Sequence, residues 1–147
     1  MSDASSDEEC AFCRIVRREE EADIVYESER TLTFLPRKPA ATGHVLVVPK
    51  VHVSDLWHVE QAVMAHVVED AVLMARAIRL ALNPDGINMI NSAGAAASQS
   101  IFHLHVHLVP RWNGDAFGDI WPPSEPWTTS RRTAVANCIM QSVDQLG

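Results

Sequence analysis

Three of the seven histidines in this 147-residue chain stand at alternate positions, in the run His103-Leu104-His105-Val106-His107-Leu108-Val109. Side chains alternate between the faces of a strand. The spacing therefore puts the three imidazoles on one face, about 6.6 Å apart, and Leu104, Val106 and Leu108 on the other. Imidazoles in one row resist joint protonation, so a neutral, nucleophilic ring is expected near neutral pH. Two other readings stay open: a half-exposed strand with histidines outward, and a three-histidine metal site, which a straight row fits poorly. Cys10-x-x-Cys13 has metal-type spacing but supplies two of four ligands. A reduced pair or a redox pair would use the same spacing. Cys138 reads as a small apolar residue in the last helix.

The elements that must position these groups are legible from pattern. Strands are predicted over 24–26, 31–35, 44–48, 87–91 and 102–109, from β-branched and aromatic runs bounded by Pro and Gly. A short helix is predicted over 10–18, and a terminal helix over 129–146. The longest predicted helix covers 59–82, with a polar stripe of His66, Glu69, Asp70, Arg76 and Arg79. Its apolar surface is wider than the ~100° that one sheet face needs. Burial on a second side, by a partner subunit or by the chain's own second layer, would account for the excess. The pattern predicts an α+β fold: an antiparallel sheet of about five strands with one long helix and a C-terminal helix. Residues 1–9 read as a disordered acidic tail and 10–147 as a single domain.

The net charge is −7. Residues 1–29 hold ten acids and three bases, and the remaining residues hold nine of each. Long nucleic acids are disfavoured. Residues 30–54 and 86–112 together carry five cations (Arg30, Arg37, Lys38, Lys50 and Arg111) and no acid, so a locally basic surface is expected near the histidines. No apolar run approaches the ~18 residues of a membrane span. The polar, acidic start is unlike a signal peptide, and a cytoplasmic location is expected.

The histidine run resembles the signature of the histidine triad (HIT) family: His, apolar, His, apolar, His, apolar, apolar. Gly43-His44-Val45-Leu46-Val47-Val48-Pro49 resembles the family's Gly-His-x-Leu-Val-x-Pro segment. Ser98-Gln99-Ser100 resembles its Gly-Gln-Ser/Thr, and Arg111 after Pro110 also fits. The likeness runs from about Cys10 to Arg111.

The resemblance implies a HIT-like fold and hydrolysis or transfer of a small nucleotide at its α-phosphate, and the wide apolar surface of the long helix makes a homodimer the expected assembly. It makes His105 the nucleophile, which forms a covalent nucleotidyl-histidine. His107 would donate to a phosphate oxygen, and His44 would fix the tautomer of His105. Ser100 and Gln99 would hold the phosphate or the leaving group, and Asn91 would face the substrate. Some members carry an N-terminal Cys-x-x-Cys with a histidine after the Pro49-type proline, which implies a structural zinc held by Cys10, Cys13, His52 and His103.

A nucleoside phosphoramidate and a dinucleoside polyphosphate are both implied substrates. Nucleotidyl transfer or phosphorolysis, and nucleotide sensing with little turnover, are the alternatives. Two positions depart from the pattern. Pro36 stands where the family usually has Asp or Asn for the ribose, and Ser98 stands in place of Gly.

Overall fold

β-Branched and aromatic side chains favour a pleated, half-buried surface. They build β1 (Asp23–Glu27), β2 (Thr31–Leu35), β3 (Val45–Pro49), β4 (Gly86–Ile90) and β5 (Val106–Arg111). The five strands form one antiparallel sheet in the order β1-β2-β3-β5-β4. The computed structural model describes residues 4–147, with side chains from Asp7 onward.

The ladder register sorts the two faces. Ile24, Phe34, Leu46, His107 and Ile90 are successive cross-strand partners and form one row. Tyr26, Thr33, Val47 and Val106 form a row of opposite facing. The second face carries the long helix α3 (Gln61–Leu82), which buries Val67, Ala71, Met74 and Ile78. These pack on Val45, Val47, Leu104, Val106 and Leu108. Asn83 ends α3 in the left-handed conformation at φ 49°, its N–H donating to the Arg79 carbonyl. Asn tolerates that conformation, and Pro84 cannot continue a helix. Val72, Leu73 and Leu80 on α3 stay exposed, so the excess apolar surface expected of this helix is real. No helix among the described residues is long and apolar enough to cross a membrane.

The first face is covered by the short helix α2 (Ala11–Val16), whose Phe12 and Ile15 pack on Leu32, Phe34, Leu46 and Val48. α2 is preceded by α1 (Ala4–Glu9). Part of the segment expected to be a disordered tail is therefore helical, and residues 1–3 lie outside the described residues. Arg14 and Arg17 donate to the Glu9 and Asp7 carbonyls, which satisfies acceptors that a helix end leaves open.

The described residues divide into two compact units, one ending at Phe117 and one beginning at Gly118. The second unit holds α4 (Thr129–Leu146), capped by Thr128 and without a buried residue. One further expectation changes. The triad strand is shorter than predicted. Continued by two residues, the β3–β5 register would set Leu104 opposite Pro49, and proline has no N–H for the ladder. The Leu104 N–H donates instead to the Val53 carbonyl at 2.7 Å. His103 and His105 thus lie in the lead-in, and His107 lies in β5.

Gly43 sits at φ +80°, where a Cβ would collide with the Leu82 side chain and stand 3.3 Å from Pro110 Cγ. The turn into β3 needs both a positive φ and a missing side chain. Gly43→Ala is expected to lower stability by about 1–3 kcal/mol, read as a shifted urea midpoint with an unchanged m-value.

Candidate active site

His105 is held by its own segment of chain. Its Nδ1 lies 2.7 Å from the His103 carbonyl. A carbonyl can only accept, so Nδ1 carries the proton and Nε2 carries the lone pair. Asn91, just past β4, donates its amide N–H to the His105 carbonyl at 2.9 Å, which ties the next peptide to the neighbouring strand. The Asn91 Oδ1 is buried without a partner among the described residues.

A second chain of bonds orients His107. The Ala40 N–H donates to His44 Nδ1 at 2.9 Å, so the His44 proton resides on Nε2. That nitrogen is 2.9 Å from His107 Nδ1, which must accept, and His107 Nε2 is left as a donor. The His105 and His107 rings are 4.9 Å apart. His44 therefore sets the tautomer of His107, whereas it was expected to set that of His105. The tight bond to its own chain leaves His105 Nδ1 no need of a distant partner.

Burial keeps these rings neutral. It depresses the pKa of His44 and His105 below the ordinary 6.5, against a smaller upward pull on His105 from the His103 carbonyl. Burial, together with the neighbouring His105 and His44, brings His107 to about 4.

His103 has a different set of partners. It is fully buried and bonds the Pro49 carbonyl through Nε2 at 2.8 Å, so Nδ1 carries the lone pair. That nitrogen stands 3.4 Å from both Cys10 Sγ and Cys13 Sγ, and His52 Nδ1 is 3.3 Å from Cys13 Sγ. The four ligand atoms all lie within 4.8 Å of one another. A tetrahedral zinc with sulfur at ~2.3 Å and nitrogen at ~2.0 Å sets neighbouring S and N about 3.5 Å apart, so the residues fit such an ion. Burial, reinforced by Cys10, pushes the Cys13 thiol up to about 12. A cation at the cluster would reverse that preference.

A cleft of about 800 Å³ on the first face of the sheet is walled by residues that neighbour the histidine row. Its walls include Phe12 and Ile15 from α2, and Phe34 and Leu46 from the sheet, with Glu20 and Arg37 at its edge. Leu46 is the cross-strand neighbour of His107. The Phe12 ring meets the His105 ring edge-on at 5.2 Å.

Other predicted residues are placed differently. Gln99 is buried and saturated within its loop. Its Oε1 accepts from the Gly94 N–H, and its Nε2 donates to the Ser54 and Ile101 carbonyls. It shapes the loop and does not reach outward. Ser98 takes a φ of 71°, the left-handed geometry that favours the glycine it replaces. Ser100 is exposed, next to cleft-lining Ile101.

The expected basic surface is largely neutralised. Arg37 pairs with Glu20, Lys50 with Glu27, Arg30 with Glu29 and Arg111 with Asp115. Glu20, Glu27 and Glu29 come from the acid-rich first 29 residues, and Asp115 comes from the chain just past β5. Phe12 was missed as a site residue. A lone aromatic between two cysteines has no periodic signal, and its importance comes from the long-range contact.

A model of the HIT domain matches residues 17–114. The chain belongs to the HIT family. Protein hit of Bacillus subtilis is 37% identical over 115 residues, which is 78% of this chain and 79% of that one. An adenylylsulfatase of Arabidopsis thaliana is 36% identical over 107 residues, 73% of this chain and 54% of the relative. The crystal structure of a zinc-bound histidine triad family protein from Mycobacterium smegmatis has a TM-score of 0.73 at 35% identity, covering 92% of this chain and 99% of the other. The five-stranded antiparallel sheet with helices is the α+β fold expected of a HIT protein.

Neutral His44 and His107 couple folding to pH. Unfolded, each has a pKa near the ordinary 6.5, and the folded value is lower. Below about 6.5 the unfolded chain binds more protons, so stability rises with pH there. The contribution of His107 is full above 6.5 and is lost as pH falls toward about 4. Urea midpoints should drop across that window, less steeply for His107→Asn.

Proposed function

We propose that this HIT protein is a nucleotide hydrolase acting at the α-phosphate of a nucleoside phosphoramidate or a dinucleoside polyphosphate. The observation that carries this reading is the His105 Nδ1 bond to the His103 carbonyl. It leaves a neutral Nε2 as nucleophile beside a cleft that can take a nucleoside. His105 Nε2 attacks the α-phosphorus, the bond to the leaving group breaks with its electron pair, an amine leaving group taking up a proton from solvent, and a nucleotidyl-histidine forms. Water then attacks phosphorus and releases a proton to solvent, the P–N bond breaks with its electron pair returning to His105 Nε2, and the nucleoside monophosphate leaves. Splitting one displacement into two lowers the barrier to each.

The His107 Nε2–H donates to a nonbridging phosphate oxygen and stabilises its charge in the transition state. His44 and Asn91 act through others, on the His107 ring and the His105 peptide. Ser100 is assigned to the leaving-group side, where its hydroxyl can donate a hydrogen bond to the departing amine or phosphate. Gln99 contributes by fixing the loop. The adenylylsulfatase relative supports hydrolysis of a nucleotide. A transfer reaction would differ only in the acceptor that replaces water.

Cys10, Cys13, His52 and His103 are proposed to hold zinc. With four protein ligands the ion would be structural, and the zinc-bound relative supports it. Purified protein should carry one zinc per chain, and Cys10→Ser should lose most of it in elemental analysis. Free cysteines suit a reducing cytosol. The exposed apolar residues of α3 and the edge position of β4 support a homodimer.

The function is tested by following AMP release from a panel of adenosine phosphoramidates and diadenosine polyphosphates. Turnover with at least one is expected, with His105→Ala reducing kcat by about a thousandfold or more. No turnover with any of them overturns the hydrolase reading.

A further inference from the structure

Phe12 lies between the two cysteines of the metal-type cluster and is 5% exposed. Its ring meets Phe34 at 5.3 Å, His105 at 5.2 Å and His103 at 5.8 Å, edge-on in each case. With Ile15 it lines the cleft. The two walls of that cleft are held by different means. Phe34 and Leu46 are fixed by the antiparallel ladder between β2 and β3. The opposite wall is α2, six residues long, well short of the ~12 residues at which an isolated helix becomes even marginally stable. It is held to the sheet through the packing of Phe12 and Ile15 and through the two cysteines, whose sulfurs meet His52 and His103.

We infer that a metal ion bound by Cys10, Cys13, His52 and His103 latches α2 against the sheet. Metal occupancy thereby sets the affinity of the cleft for a nucleoside monophosphate, and Phe12 is the residue that transmits it. This rests on the nucleotide reading of the cleft. Closing four ligands around one ion fixes both ends of the Cys10–Cys13 turn, and so fixes the ring between them. Stripping the ion leaves the ladder-held wall intact and frees the wall that carries Phe12. By linkage, a ligand that binds the closed cleft must tighten the metal by the same factor.

The test titrates AMP into zinc-loaded and chelator-stripped full-length protein by calorimetry. Stripping should weaken AMP binding about tenfold, the scale of one aromatic contact. Loaded Phe12→Ala should show a similar loss, and stripping that variant should add little, because the two changes remove one interaction. In competition with a chelator, saturating AMP should tighten zinc about tenfold in the wild type and leave it unchanged in Phe12→Ala. Equal AMP affinity with and without zinc overturns the latch, as does full zinc–AMP coupling in Phe12→Ala.

Failure of AMP to bind the loaded protein overturns the nucleotide reading instead. The latch is then judged by amide exchange. Faster exchange in residues 10–18 on stripping, with 45–49 and 106–111 unchanged, upholds it. Unchanged exchange in 10–18, or faster exchange throughout, overturns it.

Discussion

The bond from His105 Nδ1 to the His103 carbonyl is the constraint on which the site depends. It fixes which nitrogen of His105 is basic and turns that nitrogen away from its own backbone. It also makes His103 a shared residue, whose carbonyl serves His105 while its ring serves the cysteine cluster. The fold supplies the surroundings. Pro49 ends the β3 ladder and its carbonyl accepts from the His103 Nε2–H, so the lead-in to β5 is free to carry two histidines in different roles. Leu104, between them, is buried in the core under α3, which keeps the pair from rotating.

Burial and hydrogen bonding work together on the remaining rings. His44 accepts from the Ala40 N–H and donates its Nε2–H to His107 Nδ1. The result is a relay of orientation whose last member donates outward beside His105. None of the three can charge easily, because burial depresses each. A neutral nucleophile beside a neutral donor suits attack on an anionic phosphate. The flanking cations contribute less than their number suggests, since Arg37 and Lys50 are occupied by Glu20 and Glu27.

Much of this was legible in the residues. The alternation of His103, His105 and His107 with Leu104, Val106 and Leu108 predicted the two-faced segment, and the faces came out as expected. The Cys10, Cys13, His52 and His103 set converged as the family resemblance implied. Four things were not legible, because each depends on contacts in space. The strand limit at Val106 depends on the register against Pro49. The partner of His44 depends on a 2.9 Å contact across 63 residues. Gln99 looks like a ligand-binding amide until its bonds to Gly94, Ser54 and Ile101 are seen. Charge segregation along the chain misled for the same reason, because ion pairs form in space.

Ring-nitrogen NMR on ¹⁵N-histidine-labelled protein near pH 7 measures the tautomers directly. The account predicts neutral His105 protonated on Nδ1, with His44 and His107 both protonated on Nε2. An Nε2-protonated or fully charged His105 at that pH would contradict it, because the nitrogen assigned to attack would then carry a proton.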